Sequence, residues 1–219
     1  MSLVQNVPFF SIMLSMFSGI VSSVLPEKWA RRLNMAMILT VGLMSGWLLL
    51  FMARSDIGSY TYMMGHFPAP WGNELRVGVL EAGMALFFCI IMLLSLLGGR
   101  KKLKGEVEYS KHNVYYILCN LLLSSLLALI YTNDLFTAYV FVEINTIAAA
   151  GLIMIRQNGR CIEATVRYMI MSLLGSGLLL LGICMLYDIT GHLLMSNIKE
   201  QIRGIMETGV YHPPLRVRL

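Results

Sequence analysis

The sequence predicts an all-α membrane protein of about six transmembrane helices, followed by an amphipathic helix at the membrane interface. Three observations carry this expectation. Of the 219 residues, 57% are hydrophobic and only 13% charged, about half the charged share of a soluble domain. The apolar residues gather in runs of roughly 18 to 24, long enough to cross about 30 Å of hydrocarbon. The basic residues fall between alternate runs, as the orientation rule for membrane helices requires.

The runs follow in order along the chain. The first is 7–25, ended by Pro26. It has neither a basic leader nor a small-residue cleavage site, so it reads as a span and not as a signal peptide. The second is 35–53, the third 79–97, the fourth 114–131, the fifth 135–155 and the sixth 164–187. Each is expected to be helical, because unpaired backbone in lipid costs several kcal/mol per group. The alternative, a closed barrel, needs apolar and polar residues to alternate, and these runs do not. The polar stretch before the third run holds Tyr60, Tyr62, His66, Phe67, Pro68, Pro70 and Trp71. Aromatic residues at this density suit the membrane surface, and Tyr60-Thr61-Tyr62 before a Gly/Pro-rich turn suits a small hairpin. From Ile189 to Met206, Leu193, Leu194, Ile198, Ile202 and Ile205 recur at helical spacing with Lys199, Glu200 and Arg203 between them. That pattern predicts a surface-lying amphipathic helix. The expected division is a six-helix membrane unit, 1–188, and an outer-face segment, 189–219.

The net charge of +5 is not a nucleic-acid signal here. Ten of the Lys and Arg residues follow runs one, three and five: Lys28, Arg31, Arg32, Arg100, Lys101, Lys102, Lys104, Lys111, Arg156 and Arg160. Only Arg54 and Arg76 follow runs two and four. The first set is expected in the cytoplasm, with both termini on the outer side of the cell membrane. Cys89, Cys119, Cys161 and Cys184 form no metal-spaced pair and read as reduced and structural. His66, His112, His192 and His212 are scattered among loops and interfaces. No metal site and no cofactor are expected. The chain has no phosphate loop, dinucleotide fingerprint or nucleophile elbow, so no active site of its own is expected.

Glu143 is the residue that requires an explanation. It lies eight positions after Leu135, so at 1.5 Å per residue it sits roughly 12 Å into the membrane. A carboxylate there costs at least about 2.5–3.5 kcal/mol on insertion scales. Such a residue marks an ion path or a buried hydrogen-bonded contact between helices. Buried carboxyls hold protons more readily than solvated ones, which a proton carrier needs. Arg167, near the start of the sixth run, has two open readings. One is a rim ion pair with Glu163, four residues earlier; the other is a place beside Glu143, where its charge biases proton binding. Asn120, Glu163 and Asn145 are supporting polar candidates, and Thr146 is a further polar neighbour of Glu143. Ala148, Ala149, Ala150 and Gly151 on helix five, and Ser172, Gly175, Ser176 and Gly182 on helix six, allow close helix approach.

The segment Asp134-Leu135-Phe136-Thr137-Ala138-Tyr139-Val140-Phe141-Val142-Glu143 resembles the D-L-F-x-x-Y-x-F-x-E stretch of antiporter-like subunits. These are the proton-channel subunits of complex I, Mrp antiporters and membrane-bound hydrogenases. Glu163-Ala164-Thr165-Val166-Arg167-Tyr168 resembles the following E-A-x-x-K-Y, with Arg167 standing where the pattern has lysine. Gly175 to Gly191 resembles the rest of that helix, and Pro68-Ala69-Pro70-Trp71-Gly72 the outer hairpin. The resemblance implies that Glu143 is the family's membrane-embedded glutamate. It implies the N-terminal part of a proton- or sodium-translocating subunit in a redox-driven complex such as complex I or a hydrogenase. Part of a redox-independent Mrp-type exchanger and a non-conducting scaffold are the alternatives. Family subunits are about twice this length, and the chain reaches Pro213-Pro214 just before their broken seventh helix. Other membrane subunits are therefore expected as partners, including one that supplies a C-terminal half.

Overall fold

The computed structural model describes residues 6–54, 58–63 and 73–208, with the backbone alone at 101 and 102. Six of its helices have the length and apolarity to cross a membrane. They are α1 (Val7–Val24), α2 (Glu27–Arg54), α3 (Val79–Glu106), α4 (His112–Tyr131), α5 (Leu135–Met154) and α6 (Gly159–Thr190). A hairpin, β1 (Ser59–Met63) with β2 (Glu74–Gly78), precedes α3, and α7 (Met195–Thr208) follows α6. The outer-hairpin residues Pro68 to Gly72 and the tail Tyr211 to Leu219 lie outside the described residues.

Three helices are longer than their apolar runs. α2 begins at Glu27 rather than Met35, α3 continues past Leu97 to Glu106, and α6 begins at Gly159 rather than Ala164. Hydropathy marks the part of a helix inside hydrocarbon, and 28 residues rise about 42 Å, well beyond it. Most of the basic residues expected in loops therefore ride on helix ends that project from the membrane.

Local chemistry fixes the turns. Leu25 is extended before Pro26, which disfavours helical backbone in the residue ahead of it. The Pro26 carbonyl then accepts from Trp29 N at 2.9 Å to open α2. Asp134 caps α5 by accepting from Thr137 N at 3.0 Å, and Asn158 caps α6 by accepting from Cys161 N at 2.8 Å. Gly191 ends α6 at φ 70°, its N–H returning to the Tyr187 carbonyl at 2.8 Å. This stop moves the start of the amphipathic helix from Ile189 to Met195.

α4 is the centre of the arrangement and packs against α1, α2, α3 and α5. Its contact with α1 runs along Ser11, Ser15, Ser18 and Ser22, all buried at helical spacing. Ser15 donates to the Asn120 carbonyl at 3.1 Å, while the other three donate to carbonyls of their own helix. Small back-bonded hydroxyls let two helices approach without stranding a polar group in lipid. α6 is peripheral, packing on α5 and, at its end, on α7. Half of the α4 span is buried, against 11% for α5 and for α6. α6 therefore presents most of its surface outward, while α5, between α4 and α6, is mostly half-buried.

The two ends of the bundle are built differently. At one end the hairpin pairs Ser59 with Gly78 and Met63 with Glu74, and buries Leu75 and Val77. Asn133 N donates to the Glu74 carbonyl and Met195 N to the Asn133 carbonyl, both at 2.8 Å. The hairpin, the α4–α5 turn and the start of α7 are thereby one cap. The other end carries the basic helix termini. There Asn113 reaches the Leu25 carbonyl at 2.7 Å, Lys111 reaches Gln157, and Arg156 pairs with Glu106. His112, expected in a loop or at an interface, is buried with Nδ1 3.2 Å from Glu27 Oε1.

Candidate functional site

Glu143 projects from the middle of α5 and is half-buried. Its Oε1 is enclosed and has no hydrogen-bond partner among the described residues. A cleft of about 300 Å³ opens beside it between α5 and α6. Thr146 and Ile147 line the α5 side, and Tyr168, Met169, Ser172 and Leu173 line the α6 side. The level agrees with helix rise: Tyr168 and Ser172 lie roughly 14 and 20 Å from the start of α6, and Glu143 about 17 Å from the end of antiparallel α5. An enclosed carboxyl oxygen beside a mostly apolar cleft is a costly arrangement. It is chemically suited to hold a proton or to meet water or a cation.

The structure brings some sequence-predicted residues to this cleft and separates others. Thr146 lines it, its hydroxyl donating to the Glu143 carbonyl at 2.8 Å. Asn145 faces away, toward α4, where Ser125 approaches its Oδ1 at 3.4 Å. Arg167 is 2.6 Å from Glu163, and both side chains are largely exposed. Its neighbour Tyr168, and not Arg167, lines the cleft. Asn120 lies at the α1–α4 contact, fully buried, with neither amide atom bonded among the described residues. Glu81 folds back over Gly78 at the first turn of α3, a favourable place for an acid.

The small residues behave unequally. A Cβ at Gly151 would stand 3.0 Å from both terminal carbons of Leu118, so this glycine seats α5 on α4. Gly175 and Gly182 have nothing within 4 Å, so they do not draw α6 toward Glu143 as their spacing suggests. Tyr168 and Ser172 were legible only as packing or as part of a resemblance. The signal for them is two hydroxyl side chains four apart on the one face of α6 that meets α5.

Comparison with known proteins matches residues 132–212, the segment holding Glu143 and the α5–α6 cleft, to the NADH:quinone oxidoreductase/Mrp antiporter transmembrane family. The NADH-quinone oxidoreductase subunit N of Desulforudis audaxviator is 32% identical over 69% of this chain and 30% of its own length. The chain belongs to the antiporter-like subunit family. A Na(+)/H(+) antiporter subunit of Bacillus subtilis is 28% identical to this antiporter-like chain over 70% of the chain and 30% of the relative. A chain of an archaeal membrane-bound sulfane sulfur reductase superposes with a TM-score of 0.80 at 25% identity, covering 89% of this chain and 40% of that one. A chain of the Mrp complex from Dietzia sp. shares the fold, with a TM-score of 0.78 at 17% identity. The antiporter-like chain therefore spans 30 to 40% of the length of these relatives.

Proposed function

We propose that this chain is the N-terminal part of an ion-translocating subunit of a redox-driven membrane complex, with Glu143 as the group that takes up and releases the ion. The observation that carries the reading is Glu143 lining a cleft midway along α5, with its enclosed Oε1 unpartnered among the described residues. Coupling is electrostatic: a change of charge nearby shifts the balance between the protonated and ionised carboxyl. Arg167 is permanently charged and paired with Glu163, so its part is to bias the field and not to carry a proton. Asn120 and Asn145 support the helices that present Glu143.

The relatives are longer, and we assign the rest of the ion path, with a cationic partner for Glu143, to polypeptide beyond these 219 residues. Other membrane subunits complete the assembly in this reading. The basic helix ends face the cytoplasm, which puts the hairpin and α7 on the outer surface of the cell membrane. The 28% identity with a Na(+)/H(+) antiporter polypeptide favours a second reading, a redox-independent cation/proton exchanger.

Glu143→Gln in the intact complex is the test, with Glu143→Asp beside it. Ion pumping into vesicles is compared with redox turnover. The Gln variant should assemble and lose most pumping, and the Asp variant should retain part of it. Full pumping by the Gln variant would sink the assignment. Exchange that persists without any redox substrate would select the second reading.

A further inference from the structure

A second cleft opens where α2, α3 and α4 meet at the basic end of the bundle. Arg31, Arg100, Tyr115 and Tyr116 bring polar groups to it, and Leu96 and Leu103 line its apolar part. Among the described residues, neither guanidinium has a hydrogen bond or an acidic partner. The neighbouring acid, Glu27, faces His112 at 3.2 Å, and the other acid near this end of α3, Glu106, pairs with Arg156. Gly99 keeps the mouth open: a Cβ there would lie 4.0 Å from the Tyr115 hydroxyl, so a larger side chain would occupy the space. The enclosed volume is about 60 Å³, room for roughly four waters or for one phosphate group with its oxygens.

We propose that this cleft binds the phosphodiester headgroup of an anionic phospholipid, with Arg31 and Arg100 as its ligands. Guanidinium groups bind phosphate through paired N–H donors, and tyrosine hydroxyls add donors of their own. Basic pockets between transmembrane helices at the membrane surface suit acidic headgroups. The leucines argue for a lipid over a free ion. Leu96 and Leu97 sit at the end of the α3 span, where it enters hydrocarbon, so an acyl chain leaving the headgroup would lie along them. This site is independent of Glu143, and neither assignment rests on the other.

The test is a titration of the delipidated full-length protein in mild detergent, with bound adducts read by native mass spectrometry. The probes are phosphatidylglycerol, phosphatidylcholine and inorganic phosphate. Phosphatidylglycerol should give one adduct tighter than any with phosphatidylcholine, and excess inorganic phosphate should not displace it. Arg31→Gln with Arg100→Gln should weaken that adduct about 25-fold, roughly fivefold per cation removed at a membrane surface. Gly99→Leu should weaken it as well, although every charge remains. Arg32→Gln removes a cation that lies over Trp29 at 5.5 Å and should leave the adduct unchanged. Equal phosphatidylglycerol binding by the wild type and by the Gly99→Leu variant would overturn the site, even if the double arginine variant failed to fold. Displacement by inorganic phosphate would overturn the lipid assignment.

Discussion

Gly151 offers a measurement of how closely α5 lies on α4. A methyl group there would stand 3.0 Å from Leu118 Cδ1 and 3.0 Å from Cδ2, so the Leu118 side chain cannot clear one contact by turning into the other. Alanine in a helix gains about 1 kcal/mol over glycine in propensity. Overpacking a fitted contact costs about 1–3 kcal/mol. The two terms oppose, so Gly151→Ala in the wild type should be neutral to about 2 kcal/mol destabilising. Leu118→Ala alone should cost about 1–2 kcal/mol, below the usual range for a fully buried leucine because Leu118 is only partly buried. In the Leu118→Ala background the obstruction is absent, and Gly151→Ala should then stabilise by about 1 kcal/mol. The predicted result is a change of sign between backgrounds, with a coupling of about 1–3 kcal/mol. Unfolding in mixed micelles, followed by circular dichroism, would measure all four proteins. If Gly151→Ala stabilises the wild type as much as the Leu118→Ala variant, the close approach does not exist.

Besides the Glu143 and lipid tests already described, two predictions follow from the ends of the bundle. Cysteines placed at Ser59 and Lys102 should react with impermeant reagents from opposite sides of the membrane; labelling of both from one side would remove the six-crossing topology. Burial pushes the Tyr60 hydroxyl from 10.0 up to about 12, so folding favours its neutral form. Its contribution is complete below pH 10 and is lost as pH rises from 10 to about 12. Tyr60→Phe should therefore flatten the alkaline loss of stability in this window, read by unfolding at several pH values, while an unchanged profile would show that the hairpin does not depend on this hydroxyl staying neutral.

The candidate residue Glu143 was legible before any tertiary structure, because a carboxylate in an apolar run is expensive wherever the run folds. Glu143 stood out for that reason. Its position near the middle of α5 followed from the bounds of the apolar run. What surrounds it was not legible, because facing residues on two helices depend on rotation and offset that no single run contains. The pairing of Arg167 with Glu163 instead of Glu143 is such a case: one position of rotation on α6 exchanges Arg167 for Tyr168 at the cleft. Gly151 and Gly175 look alike in sequence, yet Gly151 is pressed on Leu118 and Gly175 faces open space.

The sequence by itself determined the solvent and the element type. Runs of this length and apolarity can satisfy their backbone in lipid only as helices, and the alternation of basic residues fixed which ends share a side. Tertiary structure decided the neighbours. It set α4 at the centre, left α6 at the rim, buried His112 against Glu27, and gathered Arg31 and Arg100 from positions far apart in sequence. In lipid an apolar surface is equally content against a helix or a hydrocarbon tail. Hydropathy therefore cannot choose partners, and the choice falls to small residues, hydroxyls and caps whose fit exists only in three dimensions.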